Sequence, residues 1–247
     1  MSAALPTQAV STLTIHPQES IGQIAVQLPG ATAVFRRLKL DFCCGGQVPL
    51  SEAVVAKGLD LQAVLAELSG LQRSDELPLA GEPNALIDHI LARYHDVHRA
   101  QLPELIRMAH RVEAVHRTHP DVPAGLGDFL EGMEQDLLSH MAKEETILFP
   151  LLKAGGQGLA GGPIGMMRSE HLDHGVALDK LLALTQDATP PAGACNTWRA
   201  LYAGVAQLKE DLINHIHLEN NVLFPLFERA MPAQGCGSGG GCGCSGG

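Results

Sequence analysis

The chain is short of positive charge. Seventeen lysines and arginines face twenty-seven aspartates and glutamates, a formal net charge of −10. That balance argues against nucleic acid or an acidic membrane as a partner. No stretch reaches 18 consecutive apolar residues, so no transmembrane helix is expected. The opening "MSAALPTQAVSTLTIHPQES" has no basic segment followed by an apolar one, so no secretory signal is read and the expected compartment is the cytoplasm. Thiols stay reduced there, and the six cysteines point to chemistry or packing rather than to a disulfide framework. Strand-like alternation is also missing, which leaves an all-α fold. Hydrophobic residues make up 45% of the chain, enough for a real core.

Residues 1–15 read as a flexible leader and 16–70 as a small helical domain. Within it, "SIGQIAVQLPGATAVFRRLKL" suggests two short helices broken at Pro29–Gly30, and "DFCCGGQVPL" a turn. "SEAVVAKG" and "LDLQAVLAELSG" suggest two more helices, with Ser51 as N-cap and Gly70 as stop. Residues 71–83 are polar and turn-rich and read as a linker. From 84 to 231 four long helical segments follow, roughly 84–118, 125–153, 164–187 and 196–230, joined by glycine- and proline-rich loops. Short loops between long amphipathic helices make antiparallel neighbours, hence an up-down four-helix bundle. Pro103 falls inside the first segment, where it should kink the helix or force a bulge. Residues 232–247 are a low-complexity, glycine- and cysteine-rich flexible tail.

The second and fourth segments share a string. "SHMAKEETILFPLL" (139–152) and "NHIHLENNVLFPLF" (214–227) match at six of fourteen positions, including His140/His215 and Glu144/Glu219. Written as bundle seams with steps of three and four, the second helix gives Leu130, Met133, Leu137, His140, Glu144, Ile147, Leu151. The fourth gives Leu201, Val205, Leu208, Leu212, His215, Glu219, Val222, Leu226. The first gives Leu91, His95, His98, Leu102, Leu105, Ala109, Val112, His116, and the third Ile164, Met167, His171, His174, Leu178, Leu181. Both His/Glu pairs therefore point inward, each preceded by an inward histidine, His95 or His171.

Burying two carboxylates and four imidazoles in one apolar core is not tolerated without compensation, since even a neutral unpaired imidazole costs about 1–3 kcal/mol. Two divalent cations supply it. Glu144 and Glu219 can bridge them, and His95, His140, His171 and His215 can supply terminal nitrogens. Six side chains for two ions leave positions open for water, oxo, O2 or NO. Mixed nitrogen and oxygen ligation without thiolate suits iron or manganese. His98, His116 and His174 read as supporting or channel-lining residues. His217, two positions from His215, should point away and be exposed. His16, His89, His110 and His119 carry no usable signal.

The strings "RYHDVHRAQLPELI", "SHMAKEETILFP", "SEHLDHG" and "NHIHLENNVLFP" resemble the hemerythrin-like superfamily, and within it the bacterial iron-sulfur cluster repair di-iron proteins, the repair of iron centres family. "FRRLKLDFCCGG" resembles that family's N-terminal cysteine-pair domain. The resemblance implies an up-down four-helix hemerythrin-like bundle after a small helical domain. It implies a non-haem di-iron centre, oxo- and carboxylate-bridged, on His95, His140, Glu144, His171, His215 and Glu219. It further implies restoration of iron-sulfur clusters damaged by nitric oxide or peroxide stress, in a cytoplasmic homodimer. The tail departs from the family pattern, and Cys236, Cys242 and Cys244 fit no standard zinc motif.

Cys43 and Cys44 follow a helix and precede Gly45–Gly46, which should expose both thiols in a turn. Neighbouring cysteines bridge each other only with strain, so this pair reads as handling metal or cluster, across a dimer or facing the bundle. Cys195 reads as loop packing. The expected function is repair by iron donation, with Cys43 and Cys44 receiving iron or docking the damaged cluster, and proteins with damaged clusters as partners. The alternatives are a di-iron nitric oxide reductase making N2O, or a module that binds NO or O2 as a sensor.

Overall fold

The computed structural model describes residues 15–28, 30–71, 82–156 and 161–228. Among them the secondary structure is helical, apart from a single antiparallel bridge between Ser20 and Pro49. No helix among the described residues is long and apolar enough to cross a membrane. Residues 1–14, Pro29, most of the 71–83 segment and the tail with Cys236, Cys242 and Cys244 lie outside the described residues.

Four short helices open the chain: α1 (Ile21–Gln27), α2 (Ala31–Arg37), α3 (Leu50–Ala56) and α4 (Leu61–Ser69). Ser20 caps α1 by accepting from the Gln23 amide, and Asp60 caps α4 by accepting from Gln62 and Ala63. Gly30 starts α2 at φ 88°, a left-handed conformation that glycine adopts without steric cost. Pro49, not Ser51, is the N-cap of α3, and the Ser51 hydroxyl accepts from Gln18 instead. Gly70 ends α4 as expected. These helices close over Ile21, Ile24, Leu28, Phe35, Phe42, Leu50 and Leu68, and Ile15, at the end of the expected leader, is buried with them.

The bundle follows. Its first helix runs through α5 (Pro83–Ile90), π1 (Leu91–His95) and α6 (Asp96–His116). The second runs through α7 (Leu126–Lys143), π2 (Glu144–Leu148) and α8 (Phe149–Lys153). The third is the uninterrupted α9 (Gly161–Leu184), and the fourth runs through α10 (Asn196–His217), π3 (Leu218–Leu223) and α11 (Phe224–Glu228). Seam periodicity does not foresee the widened turns. No such turn sits at Pro103, which lies inside α6; the widening comes earlier, at 91–95. Pro150 and Pro225 occupy the second position of α8 and α11, where the ladder has already been broken by π2 and π3 and a missing N–H costs least.

Each widened turn inserts one residue and shifts the seam by one. A regular seam puts Ile147 and Leu151 inward beyond Glu144, yet Ile147 is 59% exposed and Leu151 only partly covered; Leu148, Phe149 and Leu152 are buried instead. Past Glu219 the buried apolar residues are Leu223 and Phe224 rather than Val222 and Leu226. Before His95, Ile90 takes the place of Leu91. On α9, which has no such turn, all six seam residues from Ile164 to Leu181 are buried. The result is two hydrophobic cores in the bundle. One includes Leu102, Leu130, Trp198, Val205 and Leu208, the other Ile87, Ile90, Phe149, Leu152, Met167 and Phe224. His95, His140, Glu144, His171, His215 and Glu219 lie in the helix segments between them.

Candidate metal centre

His95 ends π1, Glu144 begins π2, Glu219 lies in π3, and His140, His171 and His215 lie on α7, α9 and α10. All six side chains are at most 1% exposed. They form two overlapping sets: His95, His215, Glu144 and Glu219; and His140, His171, Glu144 and Glu219. Within each set one ligand atom per residue lies within 4.8 Å of the others. In the first, His95 Nε2 is 3.1 Å from His215 Nε2 and 3.3 Å from Glu144 Oε2, and His215 Nε2 is 3.0 Å from Glu219 Oε1. In the second, His140 Nε2 is 3.1 Å from His171 Nε2 and 3.4 Å from Glu144 Oε1, and His171 Nε2 is 3.0 Å from Glu219 Oε2. Each carboxylate turns one oxygen to each set, the arrangement of a bridge.

The spacing fits ions. Two donors about 2.1 Å from one cation stand about 3.0 Å apart at a right angle and about 3.4 Å at the tetrahedral angle. The donor chemistry fits too. His95 Nδ1 is 2.7 Å from Glu145 Oε1, His140 Nδ1 is 2.9 Å from Glu170 Oε2, and His171 Nδ1 is 2.9 Å from Asn220 Oδ1. Donation outward from Nδ1 leaves the Nε2 lone pair of each neutral ring facing inward. Both oxygens of Glu144 and Oε2 of Glu219 are buried without a hydrogen-bond partner. Lone pairs converging on lone pairs in a dry core require positive charge, and nitrogen and oxygen donors without thiolate match iron or manganese.

Electrostatics follow from the same crowding. Burial opposes protonation of His95 and His140, but the nearby Glu144 carboxylate outweighs it: with no ion between them His95 is raised and His140 rises to about 9, protons standing in for the positive charge the centre calls for. Burial would raise Glu219, yet His215 and His171 hold it well below the usual carboxylate range. His98 and His174 are pushed down by burial and by neighbouring histidines, to about 2 and about 3. They pack beside the centre as uncharged rings, His98 5.5 Å from His215 and His174 4.8 Å from His140 between ring centroids. His116 does not. It lies 21 residues from His95, about 30 Å along a helix, and approaches Cys195 at 3.2 Å. His217 is buried, not exposed, because the small domain covers that face: its ring meets Phe42 edge-on and its Nδ1 accepts from Asn221.

Sequence reading missed Glu145, Glu170 and Asn220, which hold the outer ring nitrogens. The signal was adjacency. Each neighbours a seam residue in the chain, and each serves a histidine of another helix. Arg99 donates to Glu145 at 2.7 Å and Lys143 to Glu170 at 2.6 Å, so two of the three acceptors are themselves pinned by cations.

Cys43 and Cys44 are half-buried rather than fully exposed, their sulfurs 3.7 Å apart and unbonded. They face the bundle: the Cys44 thiol donates to the His171 carbonyl at 3.3 Å. Asp41 accepts from the Cys44 and Gly45 amides and from the Cys43 thiol. The hydrogen bond with Cys44, burial and the Asp41 charge raise the Cys43 thiol above the ordinary range, so without a metal it keeps its proton. Both thiols line a cleft of about 720 Å³ between the small domain and the bundle, with Arg36, Lys39, Lys57 and Lys209 also on its walls.

Two family models match the chain: the hemerythrin HHE cation binding domain over residues 86–227 and ScdA_N, a domain of unknown function (DUF542), over 17–72. The iron-sulfur cluster repair protein YtfE of Dickeya chrysanthemi is 50% identical over 213 residues, covering 85% of this chain and 96% of the relative. Its counterparts in Cronobacter sakazakii and Escherichia coli O8 are each 47% identical over 212 residues, covering 84% and 85% of this chain and 95% and 96% of theirs. The chain belongs to this hemerythrin-domain family, the iron-sulfur cluster repair di-iron proteins, and its cofactor is a pair of non-haem iron ions.

Proposed function

We propose that this protein repairs damaged iron-sulfur clusters by giving up iron from the centre bounded by His95, His140, Glu144, His171, His215 and Glu219. The observation that carries the reading is proximity: a thiol pair open to a cleft lies against the backbone of His171. The relatives named above are cluster repair proteins, and a repair protein needs iron held by exchangeable donors and a route to a client. When bound, the ions supply ferrous iron as cargo. Glu144 and Glu219 each reach both ion positions, so either can let go of one while keeping the other. Cys43 and Cys44 are the receiving donors. A thiol that takes iron gives up its proton, and the imidazole or carboxylate it replaces can accept one.

The same reading includes clients with damaged iron-sulfur clusters, NO or O2 as ligands at the open metal positions, a cytoplasmic setting where the thiols stay reduced, and a homodimer, which sedimentation would test. The decisive experiment loads the protein with isotopically labelled ferrous iron and mixes it anaerobically with a nitric-oxide-damaged [4Fe–4S] protein. Label should enter the restored cluster. Cys43→Ser/Cys44→Ser should keep the bundle iron and lose transfer, while Glu144→Ala and Glu219→Ala should lose the iron itself. Equal repair by the cysteine variant sinks the proposed route.

A further inference from the structure

Two consecutive asparagines follow Glu219 in "LENNVL", and both reach out of the bundle. Asn220 is 3% exposed. Its Oδ1 lies 2.9 Å from His171 Nδ1, and its Nδ2 donates to the carbonyl of Cys43 at 3.0 Å. Next to it, Asn221 Nδ2 donates to the Phe42 carbonyl at 2.9 Å. One amide therefore touches both an imidazole of the di-metal centre and the peptide group of the thiol turn.

The orientation of that amide is forced from both ends. Cys43 O can only accept, so it requires the NH2 side. The oxygen side then faces His171 and requires Nδ1 to carry the proton. That is the tautomer His171 must hold when Nε2 binds an ion. Metal at Nε2 polarises the Nδ1–H bond, and through the amide strengthens the donor to Cys43; with the ion gone that reinforcement is lost.

We propose that Asn220 is a positioning residue that transmits metal occupancy at His171 to the Cys43–Cys44 turn, holding the thiols while iron is bound and loosening them when it has left. The inference rests on the reading that these thiols handle iron and gives that site its regulation. A full centre would keep the turn closed, and an emptied one would release it toward the cleft.

The test is residue-resolved alkylation by N-ethylmaleimide, read by peptide mass spectrometry under anaerobic conditions, on metal-free and ferrous-loaded full-length protein. In the wild type, Cys43 and Cys44 should label about fivefold more slowly when loaded, the change that one ordinary hydrogen bond supplies. Cys195, remote from the centre, should label alike in both forms. Asn220→Asp keeps an acceptor for His171 but cannot donate to Cys43; it should retain both irons and label quickly in either form. Asn221→Ala breaks the contacts with the Phe42 carbonyl and His217 Nδ1 but leaves Asn220 in place, and should keep the iron dependence. A wild type whose thiols ignore iron, an Asn220→Asp variant that responds like the wild type, or an Asn221→Ala variant that loses the response would each overturn the proposal. Because the readout is thiol reactivity, a failure of cluster repair leaves it standing or falling on its own.

Discussion

Glu145 offers a sharp test of how the centre is divided. Its carboxylate accepts from His95 Nδ1 and from Arg99, each at 2.7 Å, and touches no other histidine of the centre. Burial raises Glu145, but the bonds from His95 and Arg99 prevail and keep it ionised below the usual range. Removing such an outer carboxylate typically weakens a metal site 10- to 100-fold, about 1.4–2.7 kcal/mol. In Glu145→Ala the loss should fall on the ion shared by His95 and His215. The ion shared by His140 and His171 keeps Glu170 and Asn220 as supports. Anaerobic ferrous titration against a competing chelator should therefore change from one phase to two, separated by one to two decades, with Glu145→Gln in between. Equal weakening of both ions, or no weakening, would refute the assignment of the histidines to two separate pairs.

Three further outcomes are expected. A Cβ on Gly46 would lie 2.5 Å from Phe42 O and 2.6 Å from Asn221 Oδ1, so Gly46→Ala should cost about 1–3 kcal/mol and unseat the small domain, seen as faster proteolysis around Phe42. Burial, helped by Arg36, holds His217 neutral down to about 4, whereas the unfolded chain takes that proton near 6.5; stability is full above 6.5 and falls toward pH 4 by about 3 kcal/mol. Denaturant unfolding of wild type and His217→Leu at pH 7 and 4.5 should differ by most of that amount, and parallel curves would exclude it. Deleting Ile147 restores a regular helix in which Leu148, Phe149 and Leu152 still follow Glu144 at steps of three, four and seven. Circular dichroism should then stay native in shape while iron falls below one per chain; full iron would mean the widened turn is dispensable.

The bundle and its six convergent residues were legible because a histidine and a carboxylate at i, i+4 in an apolar seam leave a pattern that period alone exposes. The widened turns were not, since one inserted residue among amphipathic turns leaves no compositional mark. That is why the regular seam sets Leu91, Ile147, Leu151 and Val222 each one position off. His217 is misplaced for a different reason. Helical phase locates a side chain relative to its own bundle, and nothing in the phase announces that a second domain covers the outside. Glu145, Glu170 and Asn220 read as surface residues until the neighbouring helix is in place. The thiol turn reads as exposed, with its direction open between a dimer partner and the bundle; that it is half-buried against the bundle at His171 depends on contacts between segments more than 120 residues apart.

The two bundle cores have a consequence for the metal-free protein. A polar stratum of four imidazoles and two carboxylates separates Leu102, Leu130 and Trp198 from Ile87, Phe149 and Phe224. Three of the four helices change phase in that stratum. Iron bound there would act as a rivet between two stacked barrels of side chains. If the protein gives up that iron as proposed, it would also slacken one of its own ends, and its spent form would be mechanically distinct from its charged form before any other protein inspects it.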